Sequence, residues 1–359
     1  MHSDPVLDPA LLLVLAASLL SPGVAVAARC QFSGVEGGAV EVNTDNGAET
    51  EGKTGLLKCY RDGKLWREQE LRDGRYIGLD KRYDDDGSVS ERQVNANGNS
   101  HGLKREFYPG GQLQSEANYD NGDLVGLSRS FHRNGQVATL RFSARRGEAP
   151  GSVIEWSDAG QMTELRCAKA SSFPEDRAPC GFDGKQSRVE LFDRRGRKQG
   201  ERVHREGVLR SAKSFDAAGG LVEHSEFSTD GCIDRRYHPG GGLAFEQRIE
   251  GDYIVAEFEW FMNGQRKRKT EREPVDRDAR VVTDWYRDTG VLQSREQLRG
   301  RRRLVEEKFD EAGRLAETLD YDDEGRLSRQ RKYAADGTLT LDDSFYPDGS
   351  RKRGAAIAQ

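Results

Sequence analysis

An aromatic residue, three further residues, a glycine, one more residue and then usually Leu or Val: this spacing recurs along most of the chain. Copies begin at Tyr83, Phe107, Phe131, Trp156, Phe192, Phe215, Tyr237, Trp260, Tyr286, Phe309, Tyr321, Tyr333 and Phe345, and Cys59 takes the aromatic place in the first. Gly63, Gly87, Gly111 and Gly135 mark a period of 24 residues, and Gly74, Gly98 and Gly122, each preceded by Asp or Asn, fall near the midpoints. Asp-Gly and Asn-Gly are strong hairpin signals because both residues tolerate the positive φ of a tight reversal. From Phe309 the glycine returns every 12 residues, at Gly313, Gly325, Gly337 and Gly349, the length of one strand plus one turn. Units this short cannot bury a face alone, so they stack on their neighbours.

Strand character is plain in "GLDKRY" (78–83), "GLKREF" (102–107) and "GLSRSF" (126–131), where a period of two puts Leu, a basic residue and an aromatic ring on one face. On the partner strands Leu113, Ser115, Ala117 and Tyr119 share a face, whereas Val137, Thr139 and Arg141 make no apolar face together, and β-bulges are expected there. The expected fold class is all-β, an elongated antiparallel β-hairpin meander in a single layer. About 26 strands at roughly 4.8 Å each would give a ribbon on the order of 100 Å long. Composition agrees. Charged residues make up 33% and hydrophobic ones 35%, too polar for one thick core, yet 14 Phe, 11 Tyr and 4 Trp against 10 Pro are not the composition of a disordered chain.

The apolar run "ALLLVLAASLL" (10–20), the Pro22-Gly23 break and Ala25-Val26-Ala27 have secretory signal anatomy, so residues 1–28 are expected to be a signal peptide. At about 11 residues the run is too short to span a bilayer, and no transmembrane segment is expected in the mature chain. Periplasmic or secreted localisation follows. The remaining divisions are an N-terminal cap (29–57), a first array (58–165), a Cys-bracketed insertion (166–191), a second array (192–350) and a flexible tail (351–359). In an oxidising compartment the five cysteines favour disulfides. Cys167 and Cys180 bracket a loop-like segment and are paired; Cys30 with Cys59 pins the incoming chain to the first repeat; Cys232 is left over.

The stretch "EFYPGGQLQSEANYDNGDLVGLSRSFHRNGQV" (106–137) resembles the MORN-variant repeat: an aromatic pair, x-x-Gly-x-Leu, x-x-Glu, an aromatic, then x-Asn-Gly and a second Gly. That repeat fills a bacterial family described as antitoxins of toxin–antitoxin systems. The resemblance covers 58–165 closely and 192–350 loosely, where "FDEAGRL" (309–315) and "YDDEGRL" (321–327) also resemble the YD repeats of large secreted shell and toxin proteins. It implies a β-hairpin scaffold that binds another protein, and it transfers no catalytic residue. An immunity role against an exported toxin would reconcile the antitoxin likeness with a signal peptide.

Other motifs carry little chemistry. "GAETEGKT" (47–54) matches the letters of a phosphate-binding P-loop, but such a loop needs a helix after it, and "GLLKCYRDG" reaches a hairpin turn within a few residues. Acidic turns such as "YDDDG" (83–87) lack the full calcium-loop spacing. The six His are dispersed, and no hydrolase motif occurs. No cofactor, metal or catalytic residue is therefore assigned, and an enzyme is not expected. The basic runs "QRKRKTER" (265–272) and "RGRRR" (299–303) are read as solvated strand faces balanced by Glu271, Glu273 and Asp276, with an anionic glycan or envelope surface as the functional alternative and nucleic acid excluded for an exported chain. The candidate binding face is the aromatic and basic stripe of Tyr83, Arg105, Phe107, Arg129 and Phe131. The expected partner is a protein; a YD-like carbohydrate- or envelope-binding module is the alternative.

Overall fold

The computed structural model describes residues 29–352 apart from 35–36, 45–46, 146–147 and 274–278, so the signal-peptide segment and 353–359 lie outside the described residues. The described residues form 26 β-strands and two short 3-10 turns, with no α-helix. None of their helices is long and apolar enough to cross a membrane. The strands make two open antiparallel sheets. The first has twelve strands, from β1 (Arg29–Gly34) to β12 (Met162–Arg166), and the second has fourteen, from β13 (Val189–Phe192) to β26 (Leu339–Ser344). Within each sheet every strand pairs with its successor, except that β1 lies between β2 (Val40–Val42) and β3 (Gly55–Arg61).

Because successive strands pair, turns fall alternately on two long edges. One edge opens with a two-residue turn at Asp62-Gly63 and from 84–88 onward repeats a five-residue turn. At 108–112 the Tyr108 N–H donates to the Gln112 carbonyl and the Gly111 N–H to the Tyr108 carbonyl, both at 2.9 Å; the same pair of bonds closes 132–136 and 261–265. The glycine sits at positive φ, +86° at Gly111 and +84° at Gly135, which identifies a short hairpin loop closed by a glycine bulge. The spacing of the repeat now has a cause. The aromatic ends one strand and the Leu or Val two residues past the glycine opens the next, so the two stand opposite each other: Phe107 with Leu113, Phe131 with Val137, Tyr237 with Leu243.

On the other edge Asp73-Gly74 and Asn121-Gly122 form two-residue turns with both residues at positive φ, as the hairpin signals predict. Asn97-Gly98 differs. It belongs to a five-residue turn, because the Asn95 side chain accepts from the N–H groups of Asn97 and Asn99 at 2.9 and 3.1 Å and favours the longer loop. The expected bulge near Val137 is present: register slips between Val137 and Thr139, so Leu140 becomes a core residue.

Two apolar clusters hold the ribbon. Near its start Cys30, Phe32, Val42, Leu57, Cys59 and Leu71 are buried around the Cys30–Cys59 disulfide, whose cysteines are directly opposed on β1 and β3. The second gathers Leu140, Ile154, Leu165, Phe173, Cys180 and Leu191 where the sheets meet, with Cys167–Cys180 as its disulfide. Cys232 is free. Along the five-residue-turn edge, stacking continues across the junction: Gln161 lies against Gly196 as Gln136 lies against Gly160. At the opposite edge the Cys-bracketed segment wedges in, and the Gly207 N–H donates to the Cys180 carbonyl at 2.9 Å.

The turn glycine is the position to test. Gly135→Val puts a branched side chain at positive φ, where an L-residue costs roughly 1–2 kcal/mol, and a Cβ would also meet the Gln112 amide at 3.3 Å. Urea denaturation is expected to show a loss of about 2 kcal/mol with the β-sheet circular dichroism retained.

Candidate binding surfaces

The first sheet carries a row of alternating charge. Between β3 and β12 run β4 (Lys64–Arg72), β5 (Arg75–Tyr83), β6 (Val89–Val94), β7 (Ser100–Phe107), β8 (Leu113–Asp120), β9 (Asp123–Phe131), β10 (Val137–Ser143) and β11 (Val153–Trp156). From β3 to β9, Lys58, Glu68, Lys81, Glu91, Arg105, Glu116 and Arg129 stand opposite one another in turn. Arg105 is 3.5 Å from Glu91 and 3.7 Å from Glu116, Arg129 is 3.1 Å from Glu116, and Lys58 is 3.1 Å from Glu68. The row then turns apolar, continuing through Leu140, Ile154 and Leu165 into the junction core. Each cross-strand ion pair contributes about 0.2–1 kcal/mol, less where solvent screens it. Their larger effect is on register, since a slip of one residue would send every charge to the opposite face.

The five stripe residues therefore lie on one face, with both guanidinium groups already paired. Phe107 and Phe131 are half-buried beside their turn-closing partners. The Tyr83 hydroxyl donates to Glu68 Oε2 at 2.7 Å, and burial, reinforced by that bond, pushes its pKa up to about 12. Glu68, Glu91 and Glu116 complete the row and are not apparent from sequence, because only the strand register names them. The opposite face holds a separate node. Asp80 is 1% exposed and lies 2.9 Å from Arg67, 3.4 Å from Arg82 and 3.1 Å from Arg92. Burial pushes its carboxyl up, but the bond and charge of Arg67, with help from Arg82 and Arg92, hold it below the usual range.

Two of the dispersed histidines have structural work. His132 and His238 each follow a repeat aromatic, and their Nε2 groups donate to the carbonyls of Trp156 and Trp260, the aromatics of the next unit, at 2.9 and 3.0 Å. Tyr108 and Arg287 do the same to Phe131 and Phe309 at 2.8 and 3.0 Å. Among the described residues no group of three or more His, Cys, Asp or Glu could hold a metal ion. The P-loop look-alike begins with the 3-10 turn Gly47–Glu49 and leads into β3, a strand; the Lys53 ammonium donates to the Glu49 carbonyl.

The basic runs are compensated by somewhat different acids from those expected. Arg268 and Arg272 pair with Glu259 and Glu257 of the neighbouring strand at 2.8 and 2.6 Å, and Lys269 pairs with Glu271 at 2.9 Å. Arg302 and Arg303 reach Asp323 and Glu296 at 2.8 and 2.5 Å. Asp276 lies outside the described residues.

A cleft of about 770 Å³ opens where the sheets meet, beside β12 and over the face of β13, β14 (Lys198–Arg205) and β15 (Val208–Phe215). Leu165, Leu191, Gly200, Arg202, His204 and Leu209 line it. His204 is 4% exposed, its Nδ1 has no hydrogen-bond partner, and burial, with the adjacent Arg202 charge, lowers its pKa to about 4. Sequence reading left this histidine unassigned, because the cleft exists only once two arrays are docked.

A family model for the MORN repeat variant matches residues 100–121. The chain thus carries MORN-like repeats, on the segment that spans β7, its turn and β8. No curated protein matches the chain. Among solved structures, a mutant of S. aureus TarM in complex with fondaparinux, α-GlcNAc-glycerol and UDP is 12% identical over 27% of this chain and 19% of that chain, with a TM-score of 0.22. The TcdB2-TccC3 structure is 12% identical over 81% of this chain and 24% of that chain, with a TM-score of 0.15. The Photorhabdus luminescens Tc holotoxin pore is 12% identical over 79% and 20%, again at 0.15. This chain spans a quarter or less of the length of each, and with scores this low the fold rests on its own strand pairing.

The folded pKa of His204 lies below the ordinary unfolded value, so only the unfolded state takes up a proton as pH falls below about 6.5. The neutral histidine's stability is fully present above that pH and is lost as pH falls toward 4, a difference of about 3 kcal/mol. Urea midpoints at pH 7 and 4.5 are expected to separate strongly in the wild type and by roughly 2 kcal/mol less in His204→Leu.

Proposed function

We propose that this chain is an exported, non-enzymatic MORN-like scaffold that binds another protein, with an antitoxin- or immunity-like role. The observation that carries the reading is the single-layer ribbon, in which the described strands form open sheets with two small apolar cores and no thick interior. Such a layer excludes little water, which catalysis would require, while its repeated, register-locked surface suits contact with a partner. MORN repeats in general bind proteins or membranes. The two disulfides and the apolar run at 10–20 support export, because disulfides persist in oxidising compartments. The contact face is the stripe of Tyr83, Arg105, Phe107, Arg129 and Phe131, where aromatic and arginine side chains, the types favoured at binding hot spots, alternate with paired acids.

The test is affinity capture from the cell envelope with the wild type and with the Arg105→Glu/Arg129→Glu double variant, which leaves Lys58 and Lys81 as the basic residues of the row. A protein partner recovered by the wild type and depleted at least about tenfold by the variant, at unchanged circular dichroism, is the expected result. Equal recovery by both removes the stripe as the contact face. Binding to purified anionic glycan in place of any protein would establish the envelope-binding alternative.

A further inference from the structure

The junction cleft contains a cation without a counter-charge. Arg202 is half-buried, and its Nη1 donates only to the backbone carbonyls of Glu201 and Lys213, at 3.1 and 3.0 Å. None of the ion pairs among the described residues includes it. The nearby carboxylates are engaged elsewhere: Glu164 pairs with Arg166 at 2.6 Å, and Glu201 faces Lys198, Arg188 and Lys213 at 3.4, 3.7 and 3.9 Å. Burial alone holds the guanidinium below its ordinary pKa, the mark of a charge that has lost water and gained no acid. Beside it His204 Nδ1 is also without a partner.

The floor and wall of the cleft have a definite form. Gly200, the third of the eight residues of β14, stands opposite Leu191, and its φ is not in the left-handed region, so the backbone there does not require glycine. Glycine inside a strand costs stability and marks places where another backbone or a ligand comes close. A Cβ at this site would meet the Lys213 carbonyl at 3.2 Å and Arg202 Nη1 at 3.3 Å. The wall is β12, whose side facing the cleft pairs with no strand among the described residues. At one end of that edge the Gln199 amide donates to the Thr163 carbonyl at 3.3 Å and to the Phe192 carbonyl at 3.1 Å, supplying by a side chain what a neighbouring strand would supply elsewhere.

We propose that the cleft takes an extended acidic segment of a partner protein. The segment pairs along the free edge of β12, sets a carboxylate on Arg202 and places an apolar side chain among Leu165, Leu191 and Leu209. Main-chain bonds to the edge give affinity and alternate side chains give selectivity, as in other cases of strand addition. The inference rests on the protein-binding reading, but it uses a site separate from the aromatic stripe.

The probe is a positional-scanning library of N-acetylated, C-amidated nonapeptides selected against the full chain. Enrichment of Asp or Glu at one position, with an apolar residue two places away, is expected. The selected peptide should lose about tenfold in affinity when its acid becomes the amide, and a similar factor on Arg202→Gln, the scale of one charge-assisted bond. Arg202→Lys should retain part of the binding, and Gly200→Val, which fills the floor, should abolish it. Hydrogen exchange at 163–166 should slow on binding. The proposal is overturned if no acidic consensus emerges, if Arg202→Gln binds as well as the wild type while both fold alike, or if hexanoate competes as well as the peptide. Because Arg105→Glu/Arg129→Glu leaves the cleft intact, peptide binding that persists in that variant separates this site from the stripe, whichever of the two fails.

Discussion

The structure depends on one backbone constraint, the glycine at positive φ that closes each five-residue turn. It lets the residue three places back donate and accept in the same loop, and it inserts one extra residue on one side of the hairpin. From that bulge follow the opposition of aromatic and Leu or Val, the alternation of turns between two edges, and the stacking of each loop on the one before. Substituting a ring thins a contact, whereas substituting the glycine strains the turn that sets the register. The turn sets the geometry, and packing and charge then act on strands already in place.

Within that frame charge does what a thick core would otherwise do. Seven alternating residues cross the first sheet, and Asp80 gathers three arginines on the other face. Pairs of this kind add little stability singly, yet they penalise every register but one. A chain with 33% charged residues can thus remain ordered, because its charges are assigned partners by the same hydrogen-bond ladder that sets the strands.

Much of the architecture was legible in the sequence, for physical reasons. Turn chemistry is local, so the glycines and their Asp or Asn neighbours announced the meander, and a spacing that broke between Gly160 and Gly196 lies where one sheet ends and the next begins. Cys30 with Cys59 and Cys167 with Cys180 could be paired because each pair flanks or anchors a single recognisable segment. What stayed hidden is non-local. Glu91 and Glu116 acquire meaning only from the residues across from them, and Arg202, Gly200 and His204 form one cleft only after 167–188 folds between two sheets. Asn97 was misleading in the other direction, its dipeptide pointing to a two-residue turn while Asn95, two places earlier, selected the longer one.

The displaced first strand shortens one exposed edge of the first sheet. With β1 folded in between β2 and β3, the outer strand on that side of the first sheet is β2, three residues long. A border of three residues offers almost no template for another chain. That side of the first sheet is thereby protected against edge-to-edge joining with a second copy.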